Sequence, residues 1–283
     1  MLAFDEYKQI IASFNNDVRG QAFLSLMYES LGRPQEVLFL KIKDVELFDN
    51  YGKAYISEHG KEGIGILRII DSYPYMLRWL NVHPLKNDPE AFVFVNLGNT
   101  NRYQQWKPAT VNKMLRIKCK ELKINKPITC YSFKRNGVTH RRLRGDDDKQ
   151  IQETARWKSG RQLNTYDMAG QEETFKVELI RRGIIPKSKD CSFADEDCQQ
   201  IRICPFCNHR NSMTDTICEK CSRLLDRDAI IKQEKVRELE LLKINQKLEM
   251  LERFNKSVIT KRNISEFSDV EIDKMIDLER TKT

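Results

Sequence analysis

The chain has 283 residues, of which 40% are apolar and 32% are charged, and its formal net charge is +8. That apolar content is sufficient for a packed core, which excludes a chain that is disordered throughout, and the length is typical of one or two domains. The first residues lack the basic and apolar segments of a secretory signal, and no stretch reaches the roughly 18 uninterrupted apolar residues of a membrane span. We therefore expect a cytoplasmic protein with no membrane contact, whose cysteines are thiols or metal ligands.

The surplus of positive charge lies in one segment of the chain. Residues 102–161 contain 17 Lys and Arg against 5 Asp and Glu, whereas residues 1–101 contain 10 against 13 and residues 162–283 contain 22 against 23. Lys and Arg displace counterions from phosphates, so a concentrated basic segment is expected at a nucleic-acid surface. A solvated protein face has the same composition, and charge alone does not separate the two.

The spacing of apolar residues predicts mainly helices. One helical segment is predicted over residues 4–31 and a second over residues 35–47. Residues 51–70 change to two strands around a glycine-rich turn, which predicts a β-hairpin. Later helices are predicted over residues 73–82, 108–122, 133–143, 146–157 and 172–182. This order predicts an α+β fold that is mainly α, with a small antiparallel sheet.

After residue 190 the chain becomes rich in cysteine. It contains two C-x2-C pairs formed by Cys204, Cys207, Cys218 and Cys221. Each pair can direct two thiolates at one ion, so we expect a zinc-ribbon-like module with a structural Zn²⁺ and no open position for catalysis. Redox pairs are the weaker alternative, because no βαβ pattern accompanies them. His209 could replace one cysteine, and Cys191 and Cys198 are expected to be ordinary thiols.

The remaining chain is a charged run without proline or glycine in its first part. Apolar residues recur at steps of three and four, with one position skipped, at Leu241, Ile244, Leu248, Leu251 and Val258. About two and a half heptads are short for an independent coiled coil. We interpret the run as a helix that packs on its own protein, with dimerisation as the alternative. The predicted divisions are residues 1–190, 198–226 and 227–283.

Four segments in front of the cysteines occur in a defined order. They are LMYESLGRPQEVLFLKIKDVEL, EHGKEG, YSFKRNGVTH and ARWKSGRQLNTYD. Over about residues 18–185, these motifs resemble the catalytic domain of tyrosine recombinases, the phage integrase family, and archaeal integrases most closely. Archaeal members often also carry a C-terminal cysteine-rich knuckle, as this chain does. The resemblance implies the catalytic-domain fold of that family. It also implies an activity that breaks and rejoins double-stranded DNA.

The resemblance assigns a role to five residues. Tyr166 would attack a scissile phosphate, which gives a 3′-phosphotyrosine and a free 5′ hydroxyl, and a second strand would reverse the step without any cofactor. Arg33 would hold the nonbridging oxygens. Lys61, on the hairpin turn, would protonate the leaving oxygen, and Trp157, nine residues before Tyr166, would pack against the phosphate. Lys134 would be the second cation of the site.

The third segment departs from the family. The family has H-x-x-R where this chain has Tyr131 and Lys134. Tyr131 would replace a histidine that assists proton transfer, and lysine keeps the charge of arginine but lacks its planar fork. A shift of one residue would bring Arg135 into the site instead. His140 matches a position that is often occupied in the family, and we expect it to be structural.

The resemblance also implies how DNA is bound. We expect self-association on DNA and contacts from five basic residues, namely Arg135, Arg141, Arg142, Lys158 and Arg161. Family members usually carry a DNA-gripping domain in front, and because only about 17 residues precede the resemblance we expect that domain to be absent. A noncatalytic DNA-binding protein that regulates a mobile element is the alternative from another class. A relaxing topoisomerase, which shares the chemistry, is third.

Overall fold

A computed structural model describes residues 1–56, 63–185 and 201–260. The chain divides into two compact units, Met1–Leu225 and Asp226–Thr283. The helices of the first unit are α1 (Phe4–Ser13), α2 (Val18–Ser30), α3 (Pro34–Leu38), α4 (Tyr73–Asn81), α5 (Pro108–Glu121), α6 (Cys130–Arg144), α7 (Asp148–Thr154), α8 (Arg161–Tyr166) and α9 (Gln171–Arg181). Its strands are β1 (Val45–Leu47), β2 (Gly52–Ile56), β3 (Gly65–Ile69), β4 (Ile201–Ile203) and β5 (Arg210–Ser212). The expected α+β fold, mainly α with small antiparallel sheets, is confirmed.

The larger sheet contains the predicted hairpin and one strand that was not predicted. Strands β2 and β3 pair antiparallel, with Ala54 opposite Leu67, and residues 57–62 of the turn between them lie outside the described residues. The prediction of a helix over residues 35–47 was wrong beyond α3, because Val45 pairs with Ala54 and makes β1 an edge strand. Short apolar runs fit both helix and strand, so the pairing partner decides which one forms.

The prediction of one helix over residues 4–31 was also inaccurate, since the segment forms two helices. Helix α1 ends at Ser13, and α2 begins after Asp17, whose carboxylate accepts a hydrogen bond of 3.0 Å from the backbone N–H of Gly20. An Asp at this position satisfies one of the N–H groups that the first helical turn leaves without a backbone partner. The break therefore comes from a side-chain cap, and the apolar spacing continues across it.

Helices α2 and α6 pack with their backbones in close contact. A Cβ atom at Gly137 of α6 would lie 2.2 Å from the carbonyl oxygen of Tyr28 in α2, so only glycine fits there. Beside this contact the ring of Tyr28 stacks on Tyr7 at 4.1 Å, and Tyr7 meets Phe133 edge-on at 5.9 Å. Helix α2 ends at Ser30, three residues before Arg33, and α6 begins at Cys130, one residue before Tyr131. This contact therefore sets the distance between the segment that contains Arg33 and the segment YSFKRNGVTH.

A buried carboxylate joins α2 to the start of α4. Both oxygens of Glu29 accept hydrogen bonds from the backbone N–H groups of Ile70, Asp71 and Ser72 at 2.8 to 2.9 Å, and the Ser72 hydroxyl donates another at 2.5 Å. Burial first, and then the charge of Asp71, raise the pKa of Glu29 to about 7. Glu29 therefore closes the N-terminal end of α4 as a group that titrates near neutral pH.

The cysteine-rich segment packs against the helical part of the first unit. The guanidinium of Arg78 in α4 binds Asp215 at 3.0 Å and Glu219 at 2.6 Å. The backbone N–H of Met213 donates to the hydroxyl of Tyr75, also in α4, at 3.2 Å. Strands β4 and β5 form the small sheet of this segment. Helix α4 is therefore the surface that holds it.

The second unit contains helix α10 (Arg227–Thr260). This confirms a helix over the first part of the charged run, while residues 261–283 lie outside the described residues. The described side chains of Leu241, Ile244, Leu248 and Leu251 are each more than half exposed. The packing of this apolar stripe on its own protein, with dimerisation as the alternative, stays a prediction. None of the described helices has the length and apolarity needed to span a membrane.

The contact at Gly137 makes a testable prediction about stability. We expect Gly137→Ala to lower the free energy of unfolding by about 3 kcal/mol, because the added methyl group meets a backbone oxygen that cannot move aside. Gly160→Ala is the matched control, since its Cβ atom meets nothing nearer than 3.6 Å and its φ is −65°. Denaturant unfolding of both variants checks this, and equal stability would contradict the close packing.

The environment of Glu29 predicts a dependence of stability on pH. Its pKa of about 7 exceeds the ordinary value of 4.5, so the folded state holds this proton more tightly than the unfolded chain. The resulting stabilisation is complete below pH 4.5 and is lost as the pH rises through 7. We expect the stability advantage of the wild type over Glu29→Gln to shrink by roughly 3 kcal/mol between pH 4.5 and 8. A constant difference in denaturant unfolding across this range would contradict the raised pKa.

Candidate active site

The predicted nucleophile and the predicted aromatic partner lie side by side. Tyr166 is the last residue of α8 and is 8% exposed, and its ring centroid lies 4.9 Å from that of Trp157. Leu163, one turn before Tyr166, and Ile151 of α7 complete the apolar cluster around them. These contacts hold the Tyr166 ring in one place and leave its hydroxyl as the polar group of the cluster.

Lys134 lies against the same two rings. Its side chain is fully buried, and Nζ lies 5.1 Å from the ring centroid of Tyr166 and 5.6 Å from that of Trp157. An ammonium over an aromatic face is attracted by the ring quadrupole, and the attraction is greatest where water is excluded. The positive charge of the third motif is therefore within a few ångströms of the predicted nucleophile.

Tyr131 contacts the predicted nucleophile directly. The hydroxyl groups of Tyr131 and Tyr166 share a short hydrogen bond. Burial first, and then this bond, raise the pKa of Tyr131, while the nearby charges of Arg33 and Arg135 act in the opposite direction. Tyr131 is therefore protonated at neutral pH, so it can orient the hydroxyl of Tyr166 but is unsuited to be a phenolate base.

Arg33 is linked to a second arginine by a buried carboxylate. Arg33 is the N-cap residue of α3. Its backbone N–H donates to Oε2 of Glu36 at 2.8 Å, as in a capping box. Nη1 of Arg33 lies 3.4 Å from Oε1 of Glu36, and Nη2 of Arg156 lies 2.5 Å from Oε2. The Glu36 side chain is 4% exposed and that of Arg156 is 9% exposed. The negative charge is therefore divided between two guanidinium groups inside the protein.

Arg156 occupies a backbone position that usually favours glycine. Helix α7 ends in a Schellman motif, in which Trp157 N–H donates to the Gln152 carbonyl at 3.0 Å and Arg156 N–H to the Glu153 carbonyl at 3.1 Å. Arg156 is the left-handed residue of this motif, with φ of 58°. Its Cδ would lie 2.4 Å from a Cβ atom at Gly65, so the side chain runs along the start of β3. The motif directs Trp157 and Arg156 into the same site.

The other predicted residues are distributed as follows. Arg141 donates to the Glu29 carbonyl at 2.9 Å, and Arg142 binds Asp167 at 2.5 Å, so both have partners within the protein. Lys158 and Arg161 are exposed beside α8. Lys61 lies within residues 57–62, which are outside the described residues. Cys191 and Cys198 lie within residues 186–200, which are also outside them.

His140 is part of the core. Nδ1 accepts a hydrogen bond of 2.7 Å from the Tyr28 hydroxyl, and Nε2 donates to the Leu2 carbonyl at 2.9 Å. Burial lowers the pKa of His140 to about 4. A neutral imidazole between α2, α6 and the N-terminal residues has a packing role.

The four paired cysteines form one cluster. Their sulfur atoms all lie within 4.8 Å of one another, with 3.5 Å between Cys204 and Cys221 and 3.6 Å between Cys207 and Cys218. Zinc–sulfur bonds of about 2.3 Å in a tetrahedron place sulfur atoms about 3.8 Å apart, so this donor set fits one metal ion. His209 is not in the cluster, and its carbonyl accepts a hydrogen bond from Cys204 N–H at 2.9 Å.

Comparison with known proteins decides the family. The model of the phage integrase family matches residues 1–173, which is more than half of the chain. The chain belongs to the phage integrase family, the tyrosine recombinases. The match starts at residue 1 and so includes α1, while the resembling motifs begin at about residue 18.

Solved structures of recombinases have the same fold. The XerA recombinase is 20% identical with a TM-score of 0.54, and the alignment covers 64% of this chain and 62% of that one. The XerH recombinase bound to palindromic difH substrate is 17% identical with a TM-score of 0.51, covering 64% and 52%. The chain thus spans between half and two thirds of these relatives. No match to a curated protein was found.

Two residues of this site were missed by the reasoning from sequence. Glu36 could have been found, because a Glu three residues behind Arg33 at a helix start is the pattern of a capping box. Arg156 could not have been selected, since it is one of 17 Lys and Arg in the basic segment and its ion pair joins residues 120 positions apart.

Proposed function

We propose that the protein is a site-specific DNA recombinase that cleaves and rejoins DNA through a 3′-phosphotyrosine at Tyr166. The observation that carries this proposal is the arrangement around Tyr166, where an aromatic partner, a buried cation and a second hydroxyl converge on one tyrosine. The family membership supports the reaction class, and the phosphodiester energy is kept in the covalent intermediate. The reaction then needs no cofactor.

Each residue has a proposed part in the step. The Tyr166 oxygen attacks the phosphorus and its hydroxyl proton passes to solvent water, while the bond to the 5′ oxygen breaks. The leaving oxygen takes a proton that we assign to Lys61. Arg33 and Lys134 compensate the charge that develops on the nonbridging oxygens, and a pre-organised cation at such a position is worth about 10² to 10³ in rate. Tyr131, protonated and bonded to Tyr166, orients the attacking hydroxyl.

Double-stranded DNA is the proposed partner, and the basic segment supports it. Exposed Lys158 directly follows Trp157, and exposed Arg161 begins the helix that ends at Tyr166. The segment as a whole has 17 Lys and Arg against 5 acidic residues. Arg135 approaches Tyr131 closely enough to affect its pKa. Self-association on DNA, an archaeal origin of the family type and a cytoplasmic location remain part of this proposal.

A regulatory DNA-binding protein is the second candidate. It is favoured by Lys134, which stands where the family has arginine and offers no planar fork to the phosphate. It is also favoured by the buried Tyr166 hydroxyl, which is already bonded to Tyr131. Both candidates bind DNA, so only the covalent step separates them.

Covalent trapping tests the proposal. With a suicide DNA duplex drawn from the sequence that flanks the gene, we expect the wild type to form a protein–DNA adduct that survives denaturing electrophoresis. Tyr166→Phe should form none, because the attacking oxygen is removed while the ring that packs on Trp157 stays.

Tyr103→Phe is the matched control, since Tyr103 is another tyrosine of the basic segment and lies outside the site. It should form the adduct as the wild type does. DNA binding by the wild type without any adduct would favour the regulatory candidate.

The cysteine cluster is proposed to hold one structural Zn²⁺ in a zinc-ribbon-like module. With four thiolates the ion has no position open to a substrate, so its contribution is to folding. Arg78 and Tyr75 then connect the module to α4, which supports a role in stability. Residues 198–226 stay the proposed extent of this module.

Metal analysis tests the zinc proposal. We expect about one zinc per chain in the purified protein and a loss of most of it in Cys218→Ser, because three thiolates bind the ion less tightly than four. Cys119→Ser is the matched control, since Cys119 is buried outside the cluster and should keep the metal. Protein without metal but with reduced thiols would contradict the proposal.

A further inference from the structure

Arg156 is a buried charge that the proposed mechanism has not used. Its guanidinium contacts the same carboxylate as Arg33, and its contact with Glu36, at 2.5 Å, is shorter than the 3.4 Å contact of the Arg33 side chain. A buried carboxylate needs cationic partners, because water does not compensate its charge. Arg156 is therefore the principal side-chain partner of Glu36 in this site.

Arg156 has a backbone conformation that glycine would adopt at a lower cost. A left-handed conformation costs a non-glycine residue roughly 1 kcal/mol, and glycine would occupy the end of α7 without this cost. The side chain instead runs along Gly65 to α3, so it joins three segments: the end of α7, the start of β3 and the start of α3. Of these, α3 carries Arg33.

We propose that Arg156 is a positioning residue that acts through Glu36 to keep the charge of Arg33 available to the scissile phosphate. This inference rests on the proposed function. With Arg156 present, the negative charge of Glu36 is shared between two guanidinium groups. Without it, Glu36 would pair more fully with Arg33 and neutralise the group that holds the nonbridging oxygens.

The positioning of Arg33 by Arg156 matters more in this protein, which has Lys134, than it would in a site with two arginines at the phosphate. Lys134 supplies a point charge over the rings of Tyr166 and Trp157 and cannot make a bidentate contact. Of the two cations that the proposal places at the phosphate, Arg33 is then the planar one that can bind two phosphate oxygens. Any neutralisation of Arg33 by Glu36 weakens the site at its strongest phosphate contact.

The decisive variant is Arg156→Gly, because glycine keeps the left-handed backbone and removes the guanidinium. We expect the initial rate of Tyr166–DNA adduct formation to fall by roughly 10- to 100-fold. Replacing Glu36 by Gln in the same chain should recover most of the lost rate, since the Glu36 carboxylate is no longer present to neutralise Arg33. Gln still completes the capping box. Lys149→Ala removes one exposed positive charge from α7 and should stay within about twofold of the wild type.

A second substrate separates this role from a structural one. With a methylphosphonate at the scissile position, the nonbridging charge is absent, so Arg156→Gly should approach the wild-type rate on that substrate. Equal losses on both substrates, or a loss that Glu36→Gln does not restore, would overturn the inference.

Two further results keep the tests distinct. If circular dichroism shows that Arg156→Gly does not fold, Arg156→Lys is tested in its place. We expect an intermediate fall in the rate of adduct formation, and Glu36→Gln should again recover the lost rate. A wild type that forms no adduct would overturn the proposed function and this inference with it. A wild type that forms the adduct at the same rate as Arg156→Gly would overturn the inference alone.

Discussion

The close contact between α2 and α6 at Gly137 is the constraint on which the site depends. Because the Tyr28 carbonyl occupies the space of a side chain at Gly137, the two helix backbones are held at a fixed separation. Arg33 follows the end of α2, and Tyr131 and Lys134 lie in the first turns of α6. A change in this one distance would therefore separate the cations from the tyrosines that they face.

Three cationic side chains and one buried carboxylate lie close together in this site. Arg33, Lys134 and Arg156 bring positive charge into a largely buried region, and Glu36 is the carboxylate that bonds to two of them. Burial makes these charges interact more strongly than they would in water. The protonated Tyr131 adds a hydrogen bond to Tyr166 without adding negative charge.

The departures from the family pattern are concentrated in one helical turn and its surroundings. Tyr131 and Lys134, which are predicted to replace the histidine and the arginine of the family, both contact Tyr166. Arg156 adds a guanidinium from a different segment, held by the backbone motif that ends α7. An ion pair depends on where groups lie in space and not on their order in the chain, so charged groups from distant segments can lie in one site.

The sequence by itself determined the family resemblance, the hairpin, most helices and the paired cysteines, because these depend on local spacing and on short motifs. It failed for residues 35–47, where the pairing of Val45 with Ala54 makes a strand from a run that also fits a helix. It also could not find the pairing of Arg156 with Glu36, which are 120 positions apart. Only the tertiary structure decided which of the many basic side chains share a buried carboxylate, because desolvation and ion pairing arise when distant segments are packed together.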